Sequence, residues 1–206
     1  MKLCILGATG RTGLHLVRLA LAGGHDVKTL VRDAAKLGDL QGGVYILEGN
    51  AREAGDLSAA VSGCNAVISA LGTDGNGTLS CSTPLLMEAM KQAGVSRLIT
   101  IGTAGILQAR SNPALYRFQS GESRRKSTAA AEDHLQAYLQ LEQSDLDWTI
   151  VCPTHLIDGE AAGQYRTEKD MLPEDGLAIT TGDTALFAYR QLFSDAYSRS
   201  RAGLAN

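Results

Sequence analysis

The sequence predicts one α/β domain in three layers, a doubly wound parallel sheet with helices on both faces. Three observations carry that prediction. Short apolar runs alternate with stretches of helical spacing from residue 2 to residue 152. The chain has 206 residues, a length that suits one domain, and 44% of them are hydrophobic, enough to fill a core. A glycine-rich turn, GATGRTG, separates the first apolar run from the first helical stretch.

The elements follow in order. Lys2–Leu6 (KLCIL) is short and apolar, as a strand buried on both faces must be. Residues 12–22 carry Leu14, Val17, Arg18 and Leu21 at helical spacing. Residues 27–31 and 44–47 read as the second and third strands, 57–61 as part of a short helix, and 66–71 (AVISAL) as the fourth strand. A helix is expected over 84–93, with Pro84 in its first turn and Gly94 ending it. Arg97–Ile101 is the fifth strand, 127–143 a long helix and 148–152 the sixth strand. This order implies right-handed crossovers and a sheet covered on both faces.

Two segments break the rhythm. Residues 105–125 have no clean period and hold four arginines, and residues 158–176 are polar with glycines. Each follows a strand end on the side where open α/β sheets bind ligands, so both are read as substrate-side lids of a single domain spanning 1–206. A variable surface loop is the alternative for each. Repeats, low-complexity tracts and linkers are absent from the sequence.

Net charge is −3, which argues against a nucleic-acid partner, since such proteins need a basic face. No apolar run nears the roughly 20 residues that span a bilayer, and the glycine-rich N-terminus does not read as a signal peptide. Cys4, Cys64, Cys81 and Cys152 are widely spaced, so reduced thiols in a cytoplasmic setting are expected and a metal site is not. Cys4 and Cys152 fall in strand-like runs and read as small core residues.

The glycine turn carries the chemistry. Gly7 can turn sharply out of the strand, Gly10 lets the backbone approach a pyrophosphate, and Gly13 lets the helix pack close to the sheet. The helix start then offers free N–H groups and a positive dipole end to phosphates. A strand before it and a helix after it make this a Rossmann-type dinucleotide turn rather than a plain tight turn. The second strand ends Leu30-Val31-Arg32-Asp33. A carboxylate at that tip would select NAD by bonding the ribose. Arg32 stands there instead, with Arg11 in the turn and Lys36 four residues on, and three cations suit the 2′-phosphate of NADP(H). The alternative is that Arg32 is a solvated charge and Asp33 serves NAD.

These residues resemble the atypical short-chain dehydrogenase/reductases, the NAD(P)H-binding group that contains biliverdin-IXβ reductase (flavin reductase) and the NmrA-like proteins. The matching pieces are GATGRTG (7–13), LVRD (30–33), Gly49-Asn50, ALGT (70–73), TAG (103–105), LDWTIVCPTHLIDG (146–159) and GQY (163–165). The resemblance spans nearly the whole chain. It implies a monomeric or weakly dimeric NADPH-dependent reductase of flavins and similar planar acceptors. It assigns Thr9, Gly10, Arg11 and Thr12 to the phosphate loop and Arg32 and Lys36 to the 2′-phosphate. Asn50 falls near the adenine, and Leu71, Gly72 and Thr73 beside the ribose. Thr103 matches a serine at the end of strand five, Pro153 lies in the shared motif and is assigned with Thr103 to the cofactor, and His155 and His134 match histidines, the former lining the acceptor pocket.

There are three departures. Asn50 replaces the usual Asp. The 105–125 segment is longer than in the biliverdin and flavin enzymes. The Tyr-x-x-x-Lys pair of common dehydrogenases is missing: alignment on Glu132 puts Arg124 and Thr128 at its two positions. The Tyr165-to-Lys169 string lies in a polar loop and is read as coincidence.

Without that pair, ketone reduction lacks its usual proton donor. Hydride transfer to a flavin, quinone or tetrapyrrole-like acceptor asks mainly for stacking at the right distance, with Thr103 and His155 as the candidate catalytic groups. Thr103 can orient the nicotinamide or acceptor, or only cap a loop. His155 can lend a proton, or only line the pocket. His134 reads as structural, Tyr165 as a stacking or a packing residue. Arg110, Arg117, Arg124 and Arg125 can draw in an acidic acceptor, or be solvated surface charges. Two rival functions remain beside the reductase, a non-catalytic NmrA-like NADP(H)-sensing regulator and an NAD(P)-dependent epimerase or isomerase.

Overall fold

The computed structural model describes residues 1–123 and 127–206. The elements are β1 (Lys2–Leu6), α1 (Arg11–Ala22), β2 (Asp26–Val31), β3 (Tyr45–Glu48), α2 (Ala54–Val61), β4 (Ala66–Ser69), α3 (Thr78–Ala93) and β5 (Arg97–Ile101). They continue with α4 (Ala129–Glu142), β6 (Asp147–Pro153), β7 (His155–Ile157), β8 (Arg166–Lys169), β9 (Ala178–Thr180), α5 (Thr181–Arg190) and β10 (Ser200–Ala205). Eight strands form the main sheet in the order β3-β2-β1-β4-β5-β6-β10-β8, and β7 pairs with β9 in a separate ladder. All neighbours in the main sheet run parallel except β8, which is antiparallel to β10. This is a Rossmann-type sheet, with strand order reversing between β1 and β4.

Alternation along the strands splits the core into two. Cys4 and Leu6 of β1, Leu98 of β5 and Trp148, Ile150 and Cys152 of β6 face one apolar cluster, shared with residues of α2, α3 and α4. Leu3, Ile5, Ile99, Ile101 and Val151 face the other, shared with residues of α1 and α5. That is the period-two side-chain pattern of a sheet buried on both faces.

The structure corrects one helix. Pro84 is not in the first turn of α3, which begins at Thr78. Proline at an interior position leaves the carbonyl four residues earlier without its donor. That carbonyl belongs to Ser80, and the Gln140 side-chain amide of α4 donates to it at 3.2 Å. A neighbouring helix thus repairs the gap and the helix continues.

The last third holds elements the sequence did not announce. Within residues 158–176, β8 forms the sheet edge. Its sequence, RTEK, is charged, which blunts pairing with other chains. β10 reads SRAGLA and is buried throughout, including Arg201.

Candidate functional site

The Gly7–Gly13 turn joins β1 to α1. Gly7 has φ +70°, and a Cβ there would strike the backbone of Ala70 beyond β4. A Cβ at Gly13 would land on the Gly7 carbonyl. Glycine is therefore required at both, for a left-handed turn at the first and close helix–strand approach at the second. Gly10 donates to the Gly7 carbonyl at 3.0 Å and forms the N-cap of α1. No side chain caps this helix start, and no acidic residue lies in its first turn. The first N–H groups of α1, those of Arg11, Thr12 and Gly13, and its dipole end thus face the turn without a carboxylate of their own helix, the arrangement that receives an anion. Thr9 lies within this turn. Arg11 pairs with Asp158 at 3.0 Å, both side chains well exposed.

At the tip of β2, Arg32 is exposed. Asp33 accepts from the Ala35 N–H at 3.0 Å, capping the helical turn that follows, and lies 3.8 Å from Lys36 Nζ. Asn50, after β3, accepts the Arg52 N–H on its side-chain oxygen at 3.1 Å. Leu71, Gly72 and Thr73 continue from Ala70, whose backbone abuts Gly7. The turns after β1 and β4 therefore meet at the point where strand order reverses.

Beside them, at the ends of β5 and β6, lies a cleft of about 760 Å³. One wall runs from Thr103 through Gln108, Arg117 and Phe118; the other is Met171 to Leu177. Thr128, Ala130 and Ala131 of the α4 start and Pro153 and His155 also line it. The cleft thus brings Thr103, Pro153 and His155 together, and the residues of the glycine turn and the β2 tip stand outside its lining. The Thr103 hydroxyl oxygen accepts the Gly105 N–H at 3.3 Å, so it caps the turn at Ala104–Ile106, and its O–H remains a donor. His155 is exposed at the start of β7. Leu177, 69% exposed, stands at the rim.

Two of the lid arginines, Arg110 and Arg117, are committed. Arg110 bonds Glu168 at 2.5 Å and the Leu172 carbonyl at 2.8 Å and lies 3.6 Å from Glu174. Arg117 bonds Glu122 at 3.3 Å. The Ser111 N–H is the main reason the Glu122 carboxyl is held down at about 2, with the Ser111 hydroxyl and Arg117 adding to it. These two arginines hold the lid, rather than standing as unpaired cations for an acidic ligand. Arg124 and Arg125 lie outside the described residues, and so does the position that the alignment gives to the dehydrogenase Tyr. Thr128, at the Lys position, precedes α4 and donates to Glu132 at 2.7 Å.

Tyr165 stands outside the cleft lining. Its hydroxyl accepts from Arg190 at 2.8 Å and its ring packs edge-on to Phe187 at 5.6 Å, so it fastens the chain to α5. His134 lies in a separate small cavity between α3, α4 and the ends of β4 and β5. Asp158, Phe118 and the 171–177 wall were not singled out individually by the sequence; the irregular lids were their only signal. Among the described residues no helix is long and apolar enough to cross a membrane.

Known proteins match this geometry. The uncharacterized protein YwnB of Bacillus subtilis is 28% identical over 176 residues, covering 82% of this chain and 80% of that protein. A proposed NADH-flavin reductase from Streptococcus pneumoniae superposes with a TM-score of 0.82 at 24% identity, over 100% of this chain and 99% of that one. An anaerobillin reductase from Escherichia coli O157:H7 superposes with a TM-score of 0.83 at 24% identity, over 100% and 97%. These two likenesses establish the fold. The model of the NAD(P)H-binding family matches residues 7–195, from the first glycine of the turn to beyond α5. The chain belongs to the NAD(P)H-binding family.

Proposed function

We propose that the chain is an NADPH-dependent reductase that passes hydride to a planar acceptor, a flavin, a quinone or a tetrapyrrole-like molecule. The observation that carries this reading is one juxtaposition: an uncapped, carboxylate-free helix start behind Gly7–Gly13, and a cleft lined by Thr103, Pro153 and His155 at the same end of the sheet. The likeness to the two reductases supports it at the level of fold.

The nicotinamide cofactor, when bound, supplies the hydride. The chain's own residues bind, orient and shield. Gly7, Thr9, Gly10, Arg11, Thr12 and Gly13 would hold the pyrophosphate, Leu71, Gly72 and Thr73 the ribose, and Asn50 the adenine. Arg32 and Lys36 would grip a 2′-phosphate. Asp33 already accepts the Ala35 N–H on one oxygen and stands between Arg32 and Lys36, which favours NADPH over NADH. Thr103, through its remaining O–H, and Pro153 would set the nicotinamide against the cleft. His155 offers a proton or a hydrogen bond to an acceptor lying there. The reading includes a cytoplasmic setting and a monomeric or weakly dimeric state. The buried free thiols of Cys4, Cys64 and Cys152 suit the first.

The test is to mix purified protein with NADPH and a panel of FMN, riboflavin, quinones and bilins, and to follow the nicotinamide absorbance. Turnover with at least one acceptor is expected, faster with NADPH than NADH. Arg32→Ala should weaken NADPH about tenfold to 100-fold, the worth of a charged hydrogen bond, and leave NADH nearly unchanged. Tight NADP binding with no turnover on any acceptor would refute the reductase and leave the sensing regulator. Equal losses for both cofactors would show that Arg32 does not read the 2′-phosphate.

A further inference from the structure

We propose that Arg201 is the positioning residue of the cleft, the joint that fixes its two walls to each other and to the sheet. This rests on the reading of the cleft as the acceptor site. Arg201 sits inside β10 with its side chain only 5% exposed. A guanidinium taken out of water is costly unless its donors are met. Here Nε donates to Asp170 Oδ1 at 3.0 Å and Nη1 to the Ile106 carbonyl at 2.6 Å. Its Cζ lies over the Tyr138 ring, 4.5 Å from the ring centre, and 5.7 Å from that of Tyr116.

Those partners belong to the segments that enclose the cleft. Ile106 and Tyr116 lie behind the first wall, in the same chain segment as its lining residues Gly105, Gln108 and Arg117, Tyr138 belongs to α4, and Asp170 is the residue from which the second wall departs. Asp170 has φ +59°, a left-handed corner between β8 and Met171. Its N–H donates to the Arg201 carbonyl at 2.8 Å, and its own carbonyl accepts the N–H of Gln108, a first-wall residue, at 2.9 Å. The two walls are thus cross-linked through Asp170, and Arg201 holds that corner in place. Buried ion pairs are often replaceable by apolar residues at little cost in stability. The distinctive consequence of this one is geometric, the spacing of the walls around whatever lies between them.

The experiment compares Arg201→Met, Arg201→Lys and Asp170→Asn with the parent by hydrogen exchange, cofactor binding and steady-state kinetics. In Arg201→Met, exchange over 104–119 and 171–177 should rise at least about tenfold, while peptides of β1 and α1 keep their protection. Acceptor kcat/KM should fall about 100-fold, as for a misplacement near 1 Å. NADPH affinity should stay within about twofold, because the glycine turn is remote from the change. Arg201→Lys, which keeps the charge but not the planar fork, should fall between. If Arg201→Met does not fold, the other two variants carry the same comparison. Unchanged wall protection, or loosening equal in β1 and the walls, would overturn the proposal. Absence of turnover in the parent would count against the reductase reading alone, since the exchange pattern decides the role of Arg201 without it.

Discussion

Two glycines of one turn should fail in opposite ways. At Gly13 a methyl would land on the Gly7 carbonyl oxygen and come within 2.9 Å of the Ala8 Cα, backbone atoms that cannot rotate aside. Gly13→Ala must therefore push α1 off β1. Overpacking of this kind costs about 3 kcal/mol at the upper end of its usual range. At roughly 2–4 °C per kcal/mol for a chain of this size, Tm should drop by roughly 6–12 °C. At Gly10 the methyl would lie 3.2 Å from the Gly7 oxygen, a squeeze of a few tenths of an ångström, and the backbone has φ −80°, which alanine adopts freely. Alanine is a poorer N-cap than glycine, so Gly10→Ala should cost about 1 kcal/mol. In the proposed cofactor site its methyl would stand where the phosphates approach the backbone, so NADPH affinity should fall at least about tenfold. Scanning calorimetry and titration calorimetry on both variants separate the effects. A Gly10→Ala protein that binds NADPH like the parent, or that loses as much Tm as Gly13→Ala, would refute the assignment of the two roles.

Three further outcomes follow from the geometry. Glu122 is held as a carboxylate by Ser111 and Arg117, with its folded pKa down at about 2 against an ordinary value near 4.5. Its contribution is therefore complete above that ordinary value and fades as pH falls from there toward 2; limited proteolysis of the 109–123 lid should speed up over that window, and Glu122→Gln should show the speed-up already at neutral pH. With native protein a thiol reagent should label Cys81 quickly and the other three only on unfolding, because Cys81 alone is exposed and burial pushes the Cys152 thiol up to about 12 and the Cys4 and Cys64 thiols up as well; rapid labelling of two or more would contradict the packing. The buried Lys28 donates to the Ala59 and Ser62 carbonyls at 2.9 and 2.8 Å, at the end of α2, so Lys28→Met should lower stability by about 2–4 kcal/mol in urea titrations through two abandoned carbonyls, and a variant as stable as the parent would disprove that role.

The first two-thirds of the fold were legible because β1, β2, β4, β5 and β6 are buried on both faces and so must be short apolar runs. The end of the chain hides the same architecture behind its composition. β10 packs so close to Met171 that Gly203 must be glycine, since a Cβ there would strike the Met171 carbonyl, and it carries a buried arginine; a strand of small and charged residues shows no apolar run. The edge strand β8 is charged because an exposed edge needs charge, which makes it read as loop. Thr103, Pro153 and His155 were picked out by the family resemblance, and all three line one cleft. The fate of Arg110 was not readable. Arg110 meets Glu168 and Glu174 across some 60 residues of chain, and no local pattern reports such a pairing.

The proline inside α3 has a consequence beyond that helix. Apolar side chains between two helices tolerate slippage, since one methyl group will serve where another did. A single carbonyl lacking its donor does not. If α4 slid by one turn, Gln140 would be carried about 5.4 Å from Ser80 and the carbonyl left bare. Pro84 therefore acts as an index mark that tells α4 where to stop along α3. Because Ala130 and Ala131 at the start of α4 line the cleft, that side of the cleft takes its alignment from an interruption in the neighbouring helix of the same layer.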